Sequence, residues 1–189
     1  MYVQYMEIKS LAPEDWLDLA LAELKDNGYN ALKAQPLAKK LNVTRGSFYY
    51  HFDSLEAFHE SVIAHWSKIT SGQIAHAAKE IGDPREALDD MLQKTLRSGE
   101  ALERAIRSWS TVAVAVAEAV EKVDNERIRI AETLLIESGV PTSTAKARAK
   151  LLYWAAIGRL MLPFPKNNVL SSAQISNLAT LMLQGGSAI

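Results

Sequence analysis

Residues 37–52 read LAKKLNVTRGSFYYHF, and this stretch decides the fold of the amino-terminal part of the chain. Ala38 is small enough to let two helices cross closely, and Asn42 stands where a tight turn needs a left-handed backbone, which Asn tolerates well. The apolar residues recur at a spacing that would build a small core between the two helices: Leu37, Leu41, Val43, Phe48 and Phe52. The stretch predicts a helix-turn-helix, with Pro36 in the first turn of one helix and Thr44 capping the next.

The outward face of the second helix carries an unusual set of side chains: Arg45, Gly46, Ser47, Tyr49, Tyr50 and His51. Arg45 lies near the helix start, where it can reach guanine O6 and N7 in a major groove. Gly46 would let a backbone approach closely, and Ser47 is short enough to touch a base or a phosphate. The two tyrosines and the histidine suit phosphates, which set register rather than sequence. Together with Lys33 and Thr44, these residues are the candidate DNA-binding set.

A plain helical hairpin is the alternative interpretation, because two short helices around a turn can match this spacing by chance. The net charge of −1 and the pI of about 6.4 also do not favour a nucleic-acid binder. The local charge, in contrast, favours nucleic-acid binding. Residues 33–52 contain no carboxylate and four basic side chains: Lys33, Lys39, Lys40 and Arg45. A basic window between acidic flanks is where a DNA-facing surface is expected.

The composition, 48% hydrophobic and 23% charged, is that of an ordinary globular protein. The absence of cysteine excludes disulfides and thiolate metal sites, and it suits a cytoplasmic protein. The first ten residues do not resemble a secretory signal, and the uncharged stretch 167–189 is too rich in Asn, Ser and Gln to span a membrane. We find no glycine-rich phosphate loop, no zinc-protease motif and no nucleophile elbow, so an enzyme is not expected. No cofactor is predicted, and His59 and His65 do not share a helix face, so we expect no metal site.

Helical periodicity recurs along the whole chain and no strand pattern stands out, so the sequence predicts an all-α fold. Nine helices are expected, joined by short loops. After the first, which begins at Pro13 and ends at Asn27–Gly28, and the two of the helix-turn-helix, they cover about 55–71, 84–97, 100–109, 112–138, 142–162 and 171–184. Asp83 is the expected cap of the helix at 84, Thr142 or Ser143 that of the next to last, and Ser171 or Ser172 that of the last.

Three segments, 28–32, 37–52 and 55–58, resemble the TetR family of bacterial repressors, and GSFYYHF at 46–52 is the most specific part. The resemblance covers about residues 13–66, and the stretches 104–109 and 123–127 are similar to a subset of the family. Two positions depart from the family pattern. Lys33 stands where a Thr often touches phosphate, and Leu55 stands where a Lys often follows the recognition helix.

The resemblance implies a helix-turn-helix DNA-binding domain at 1–53 and a ligand-binding and dimerisation domain at 54–189, with helix 55–71 linking the two. It also implies a homodimer whose last two helices form a four-helix bundle, each recognition helix entering half of an inverted-repeat operator. The function expected is a repressor that a small-molecule ligand releases from DNA by changing the tilt of the linking helix. A helical small-molecule-binding protein with weak or lost DNA binding is the alternative.

The resemblance implies a ligand pocket among the middle helices, for which the apolar candidates are Trp66, Ile69, Met91, Leu102, Ile106, Trp109 and Val112. Their helical spacing is also that of ordinary core residues, which is the alternative. A second apolar stripe, for the dimer interface, comprises Leu151, Trp154, Ala155, Gly158 and Leu162, followed in the last helix by Ile175, Leu178, Leu181 and Met182. The small residues in it would let a partner helix come close, unless both stripes serve the chain's own core.

Overall fold

The computed structural model describes residues 11–80, 82–97, 101–163 and 169–184, with side chains described outside 73–80. These ranges form nine α-helices and one short 3₁₀ turn, Tyr29–Ala31, and contain no strand, as expected from the sequence. The helices are α1 Pro13–Asn27, α2 Ala34–Lys40, α3 Arg45–His51, α4 Leu55–Glu80, α5 Pro84–Arg97, α6 Ala101–Ser110, α7 Val114–Glu137, α8 Thr142–Leu160 and α9 Ser172–Leu183.

Local chemistry explains several of the helix ends. The backbone amide of Ala12 donates to the Asp15 carboxylate at 2.7 Å at the start of α1, which ends at Gly28 with a φ of 74°. The Asp83 carboxylate accepts from the Arg85 amide at 2.8 Å ahead of α5. Ser171 and Gln174 form a reciprocal capping box at the start of α9, as expected for a Ser cap there.

The structure corrects three expectations about the middle and late helices. α4 continues to Glu80 instead of ending near residue 71, because an interior glycine such as Gly72 costs only about 1 kcal/mol and keeps its amide for the helix. α7 begins two residues later and ends one residue earlier than predicted, and α8 ends two residues earlier. Neither Thr142 nor Ser143 caps α8, since Pro141 occupies the capping position and no side chain accepts there.

One group of buried side chains joins the amino-terminal helices to α4, α6 and the first half of α7. Its largest members are Trp16, Phe48, Phe52, Phe58, Trp66, Ile106 and Trp109. α6 packs directly on α1 and on the 3₁₀ turn. We call α1 to α3 together with the 3₁₀ turn the head.

A second buried group lies among α5, the second half of α7, α8 and α9, and includes Leu88, Leu135, Leu152 and Ile175. α7 contributes to both groups and packs against α4, α5, α6 and α8, so it lies at the centre of the fold. The apolar packing therefore divides within α7, and a domain boundary after residue 53 stays a prediction. Among the described helices, none is both long and apolar enough to span a membrane.

Candidate nucleic-acid interface and internal cavity

The turn between α2 and α3 has the backbone that the sequence predicts. Asn42 adopts a φ of 56°, and it is the one non-glycine residue with a positive φ among those described. The Val43 amide then donates to the Ala38 carbonyl at 3.0 Å, which holds the chain in the turn. Ala38 is buried, so α2 and α3 approach closely.

The inner face of α3 is anchored by Phe48, whose side chain is fully buried. Its ring lies 5.4 Å from that of Trp16 on α1 and 5.0 Å from that of Phe58 on α4, both in edge-to-face geometry. Phe52, one turn later, lies 5.3 Å from Phe48 and 4.8 Å from Phe58. Such aromatic contacts add about 0.5–1.5 kcal/mol each beyond burial, so α3 is held firmly against α1 and α4.

The outer face of α3 is exposed. Tyr49 is 44% and Tyr50 84% exposed, and Arg45 and Gly46 also face solvent, while Ser47 and His51 are half-buried. The Arg45 guanidinium donates to the Tyr49 hydroxyl at 3.0 Å and lies 5.2 Å from the centre of its ring. The ring therefore orients the arginine at the start of the helix.

Gly46 has no structural reason to be glycine within this chain. A Cβ placed there would meet only the Thr44 hydroxyl, at 3.5 Å, which is ordinary contact. Thr44 does occupy the capping position of α3, but its side chain accepts no hydrogen bond, so the predicted side-chain cap is not formed. Both residues are exposed, which leaves the start of α3 open to a partner.

The basic window is only partly free. Lys33, which precedes α2, and Lys39, in its last turn, are both exposed and form no ion pair within the described part of the chain. Lys40 pairs with Glu23 of α1. Leu55 packs against the first buried group, where the resemblance would place a lysine.

Solved structures share this arrangement of helices over nearly the whole chain. The TetR transcriptional regulator from Legionella pneumophila is similar with a TM-score of 0.73 and 19% identity, covering 95% of this chain and 100% of that one. Escherichia coli NemR in its reduced form is similar with a TM-score of 0.73 and 17% identity, covering 93% and 99% of the two chains. At these identities the likeness shows the fold alone.

The sequence comparisons concern the helix-turn-helix. The chain is 34% identical over 89 residues to the HTH-type transcriptional regulator AcrR of Shigella flexneri, a match that spans 47% of this chain and 41% of that relative. Residues 17–62 match the model for bacterial regulatory proteins of the tetR family. The helix-turn-helix segment of the chain is therefore similar in sequence to that of TetR-family proteins.

A cavity of about 330 Å³ opens among α5, α7 and α8. Its described wall is mostly aliphatic, with polar side chains at one end and along the rim. It comprises Thr70, Ala87, Asp90, Met91, Leu92, Lys94, Thr95, Glu103, Arg127, Ile130, Ala131, Leu134, Ala149, Leu152, Tyr153, Ala156, Ile157, Arg159 and Leu160.

Of the seven pocket residues predicted from the sequence, Met91 lines this cavity and the other six lie elsewhere. Trp66, Ile106 and Trp109 are buried in the first group, where Leu102 packs beside them. Ile69 and Val112 are 39% and 64% exposed. For Leu102, Ile106 and Trp109 the physical reason is that α6 turns its apolar face to α1 of the head instead of to the cavity.

A network of charged side chains at the polar end of the cavity was not predicted. Arg107 donates to Glu103 at 2.8 Å, to Asp124 at 2.7 Å and to the Tyr153 hydroxyl at 2.8 Å, and Arg127 donates to Glu103 at 2.8 Å. Burial alone would raise the pKa of Glu103, but Arg127 and Arg107 outweigh it and hold the pKa below its usual range. Burial and a hydrogen bond with Asp124 raise the pKa of Tyr153. The only signal in the sequence was the family-like character of segments 104–109 and 123–127.

α6 connects this network to the head. Glu103, in its first turn, lines the cavity, and Trp109, in its last, is buried against the head. The Trp109 ring lies parallel to that of Tyr29 at 6.4 Å and edge-on to that of His59 at 5.4 Å. His59 in turn hydrogen-bonds the Leu32 carbonyl at 2.9 Å.

The predicted dimer stripe of α8 lies on the surface of the single chain. Leu151, Trp154 and Leu162 are 54%, 62% and 38% exposed, and Ala155 and Gly158 between them are exposed too. A Cβ at Gly158 would meet nothing within 4 Å. The opposite face of α8 is buried through Ala145, Ala149, Leu152, Ala156 and Leu160.

The four residues predicted on α9 are divided between surface and core. Leu181 is 55% exposed and Leu178 is half-buried. Ile175 is fully buried, and Met182 packs against the second group. α9 packs on α5, so this part of its apolar stripe serves the chain's own core.

Proposed function

We propose that this chain is a DNA-binding transcriptional repressor of the TetR family that acts in the cytoplasm as a homodimer and leaves a palindromic operator when a small molecule binds. The observation that carries the proposal is the α3 surface, where the exposed Arg45 and Tyr49 are paired above the buried Phe48. A rigid helix with a pre-oriented arginine at its start suits insertion into a major groove.

The side chains of the head divide into two kinds of contact. Arg45 reads guanine, with Gly46 and Ser47 close to the bases. Tyr50 and His51, whose rings lie 5.0 Å apart at the end of α3, contact phosphates, as do Lys33 and Thr44 at the helix starts. Phosphate contacts give a salt-dependent affinity that is the same for all sequences, whereas Arg45 discriminates between them.

The second copy of the chain covers the exposed stripe of α8. An exposed Trp154 between Leu151 and Leu162 is an unusual surface for a monomer, and the small residues beside it admit a partner helix. A twofold dimer presents two α3 helices, which must lie about 34–36 Å apart to enter successive major grooves on one side of the duplex. An inverted-repeat operator follows from that symmetry.

Two helices transmit the state of the cavity to the head. α4 packs Phe58 against the head and places Thr70 in the cavity wall. α6 packs Trp109 against the head and places Glu103 in the cavity wall. A ligand that favours another tilt of these helices changes the separation of the two α3 helices and releases the operator. Its effect cannot exceed its difference in affinity for the two states.

The experiment is fluorescence anisotropy of the chain on DNA from its own upstream region, with a scrambled duplex for comparison. We expect Arg45→Ala to lose about 1–3 kcal/mol of discrimination between the two duplexes. Arg129→Ala, an exposed arginine on α7, is the matched control and should bind as wild type. If Arg45→Ala still discriminates between the two duplexes as wild type does, the assignment of the outer face of α3 to base recognition is wrong.

A second candidate, a ligand-binding helical protein without DNA binding, is favoured by the pairing of Lys40 with Glu23 and by the apolar Leu55. Both reduce the positive charge that the head offers to phosphates. The same titration separates the two candidates. Equal and weak binding to both duplexes, unchanged by Lys33→Ala, would favour the second.

A further inference from the structure

Tyr49 is the partner of the arginine on the outer face of α3. The Arg45 Nη2 atom donates to the Tyr49 hydroxyl at 3.0 Å, and the guanidinium carbon lies 5.2 Å from the centre of the Tyr49 ring. The two residues are four apart in the helix, so their side chains lie on one face. Within the described part of the chain no carboxylate pairs with Arg45, so its guanidinium is held by the tyrosine.

The Tyr49 ring is itself fixed to the buried core of the head. It lies edge-to-face on the ring of Phe48, with the two ring centres 5.2 Å apart. Phe48 packs in turn on Trp16 of α1 and on Phe58 of α4. A continuous series of aromatic rings therefore runs from the core to the guanidinium, and each ring limits the movement of the next.

Tyr50, the next residue of α3, has different surroundings. Its side chain is 84% exposed, and its ring contacts that of His51 at 5.0 Å. No described residue forms a hydrogen bond with its hydroxyl, whereas the Tyr49 hydroxyl already accepts from Arg45. The two tyrosines are therefore equipped for different tasks, although they are neighbours in the sequence.

Fixing the guanidinium before DNA arrives favours recognition of one base. An arginine that is free in solution loses side-chain freedom when it binds, and it can turn to a phosphate instead of a base. Arg45 is already held, so it loses less freedom on reaching a base. Its bond to Tyr49 uses one N–H group, and the others stay available for guanine O6 and N7.

We propose that Tyr49 is the positioning residue of Arg45: it holds the guanidinium in the free chain and thereby sets discrimination between DNA sequences, instead of making a phosphate contact of its own. The inference rests on the proposed function, because it names the residue that tunes the specificity of the α3 surface. It also concerns the chain without DNA, where it can be tested separately.

The test on DNA uses Tyr49→Phe, which removes the hydroxyl and keeps the ring. Fluorescence anisotropy gives the Kd for the upstream duplex and for the scrambled duplex, and the ratio of the two measures discrimination. We expect Tyr49→Phe to lower this ratio at least about threefold, as for one lost hydrogen bond, with less than about a twofold change in the Kd of the scrambled duplex.

Tyr50→Phe is the matched control for the loss of a hydroxyl. It should weaken binding to both duplexes by the same factor and leave the ratio unchanged, because a phosphate contact carries no sequence information. If Tyr49→Phe behaves in this way too, Tyr49 contacts phosphate and the inference is wrong. Wild-type binding of both duplexes by Tyr49→Phe would also overturn it.

A double variant tests whether Tyr49 acts through Arg45. In the Arg45→Ala background, Tyr49→Phe should lower the ratio no further, because there is no guanidinium left to position. Tyr49→Leu, which removes the ring as well, should bring the ratio of the otherwise wild-type chain close to that of Arg45→Ala. An additional loss in the double variant, as large as in wild type, would show that Tyr49 acts independently and contradict the inference.

The test without DNA measures the mobility of the Arg45 side chain by ¹⁵N relaxation of its Nε–H group, assigned from Arg45→Ala. Its order parameter should exceed that of the exposed Arg129, and it should fall in Tyr49→Phe and further in Tyr49→Leu. An Arg45 value no higher than that of Arg129 would overturn the inference. If wild type does not discriminate between the duplexes, the proposed function fails, and a fall of the Arg45 order parameter in Tyr49→Phe then supports the positioning role by itself.

Discussion

Arg107 on α6 holds Asp124 on α7 with two parallel hydrogen bonds, from Nη2 to Oδ1 at 2.7 Å and from Nη1 to Oδ2 at 3.1 Å. Only 12% and 19% of the two side chains are exposed, and Arg107 also reaches Glu103 and Tyr153. A planar guanidinium can serve a carboxylate in this paired geometry, whereas the point charge of a lysine cannot. The two residues thus fix α6 against α7 beside the cavity.

Replacing Arg107 by leucine should destabilise the chain by about 3–5 kcal/mol, because Asp124 and Glu103 would lose a buried positive partner. Urea unfolding followed by circular dichroism measures this, at one chain concentration because the proposed dimerisation would add to apparent stability. Arg129→Leu, on the exposed side of α7, should change the free energy of unfolding by no more than about 0.5 kcal/mol. A loss below about 1 kcal/mol for Arg107→Leu would show that the network contributes little.

Glu103 should make the free energy of unfolding depend on pH in the acidic range. Its pKa is lowered on folding from the ordinary value of 4.5, so its contribution is fully present above that value and is lost as pH falls through the folded-state pKa. Between about pH 5 and 3, the free energy of unfolding should therefore fall more steeply for wild type than for Glu103→Gln. Glu118→Gln, exposed on α7, should retain the wild-type slope. Parallel pH profiles for wild type and Glu103→Gln would contradict this.

Gly46→Ala should separate DNA affinity from stability. The chain has room for the added methyl group, and alanine favours helix by up to about 1 kcal/mol, so thermal stability should hold or rise. Affinity for the upstream DNA should fall at least about tenfold, or 1.4 kcal/mol, because the methyl group stands between the backbone of α3 and the duplex. Gly72→Ala, at an open position on α4, is the matched control and should leave DNA binding unchanged. If Gly46→Ala binds the upstream DNA with wild-type affinity, the α3 backbone does not approach the duplex closely at this position.

Gly158→Leu should convert the proposed dimer to a monomer without unfolding the chain. A Cβ at this position meets nothing within 4 Å, so the larger side chain extends into the space where the partner's helix would lie. Sedimentation velocity measures the assembly, and circular dichroism checks the fold. Lys146→Leu, exposed on α8 but outside this stripe, should remain dimeric. If Gly158→Leu sediments as a dimer, the interface lies elsewhere.

Much of the head was predictable because its determinants lie close together in the sequence. Asn42 supplies the left-handed turn residue, and Phe48 falls on the inner face of a helix that begins after Thr44. Caps such as Asp83 and Ser171 likewise act on amides two or three residues away. The predicted end of α4 near residue 71 was wrong, since one interior glycine such as Gly72 weakens a helix without removing a hydrogen bond.

The sequence by itself determined the all-α architecture, the helix-turn-helix and the outward set from Arg45 to His51, because turn chemistry and helical periodicity are properties of neighbouring residues. Only the tertiary structure decided what each helix face meets. Periodicity identified the apolar face of α6 but not its neighbour, and Trp109 packs against Tyr29 and His59 instead of lining the cavity. The pairing of Arg107 with Asp124 likewise joins helices whose contact depends on how α6, α7 and α8 pack.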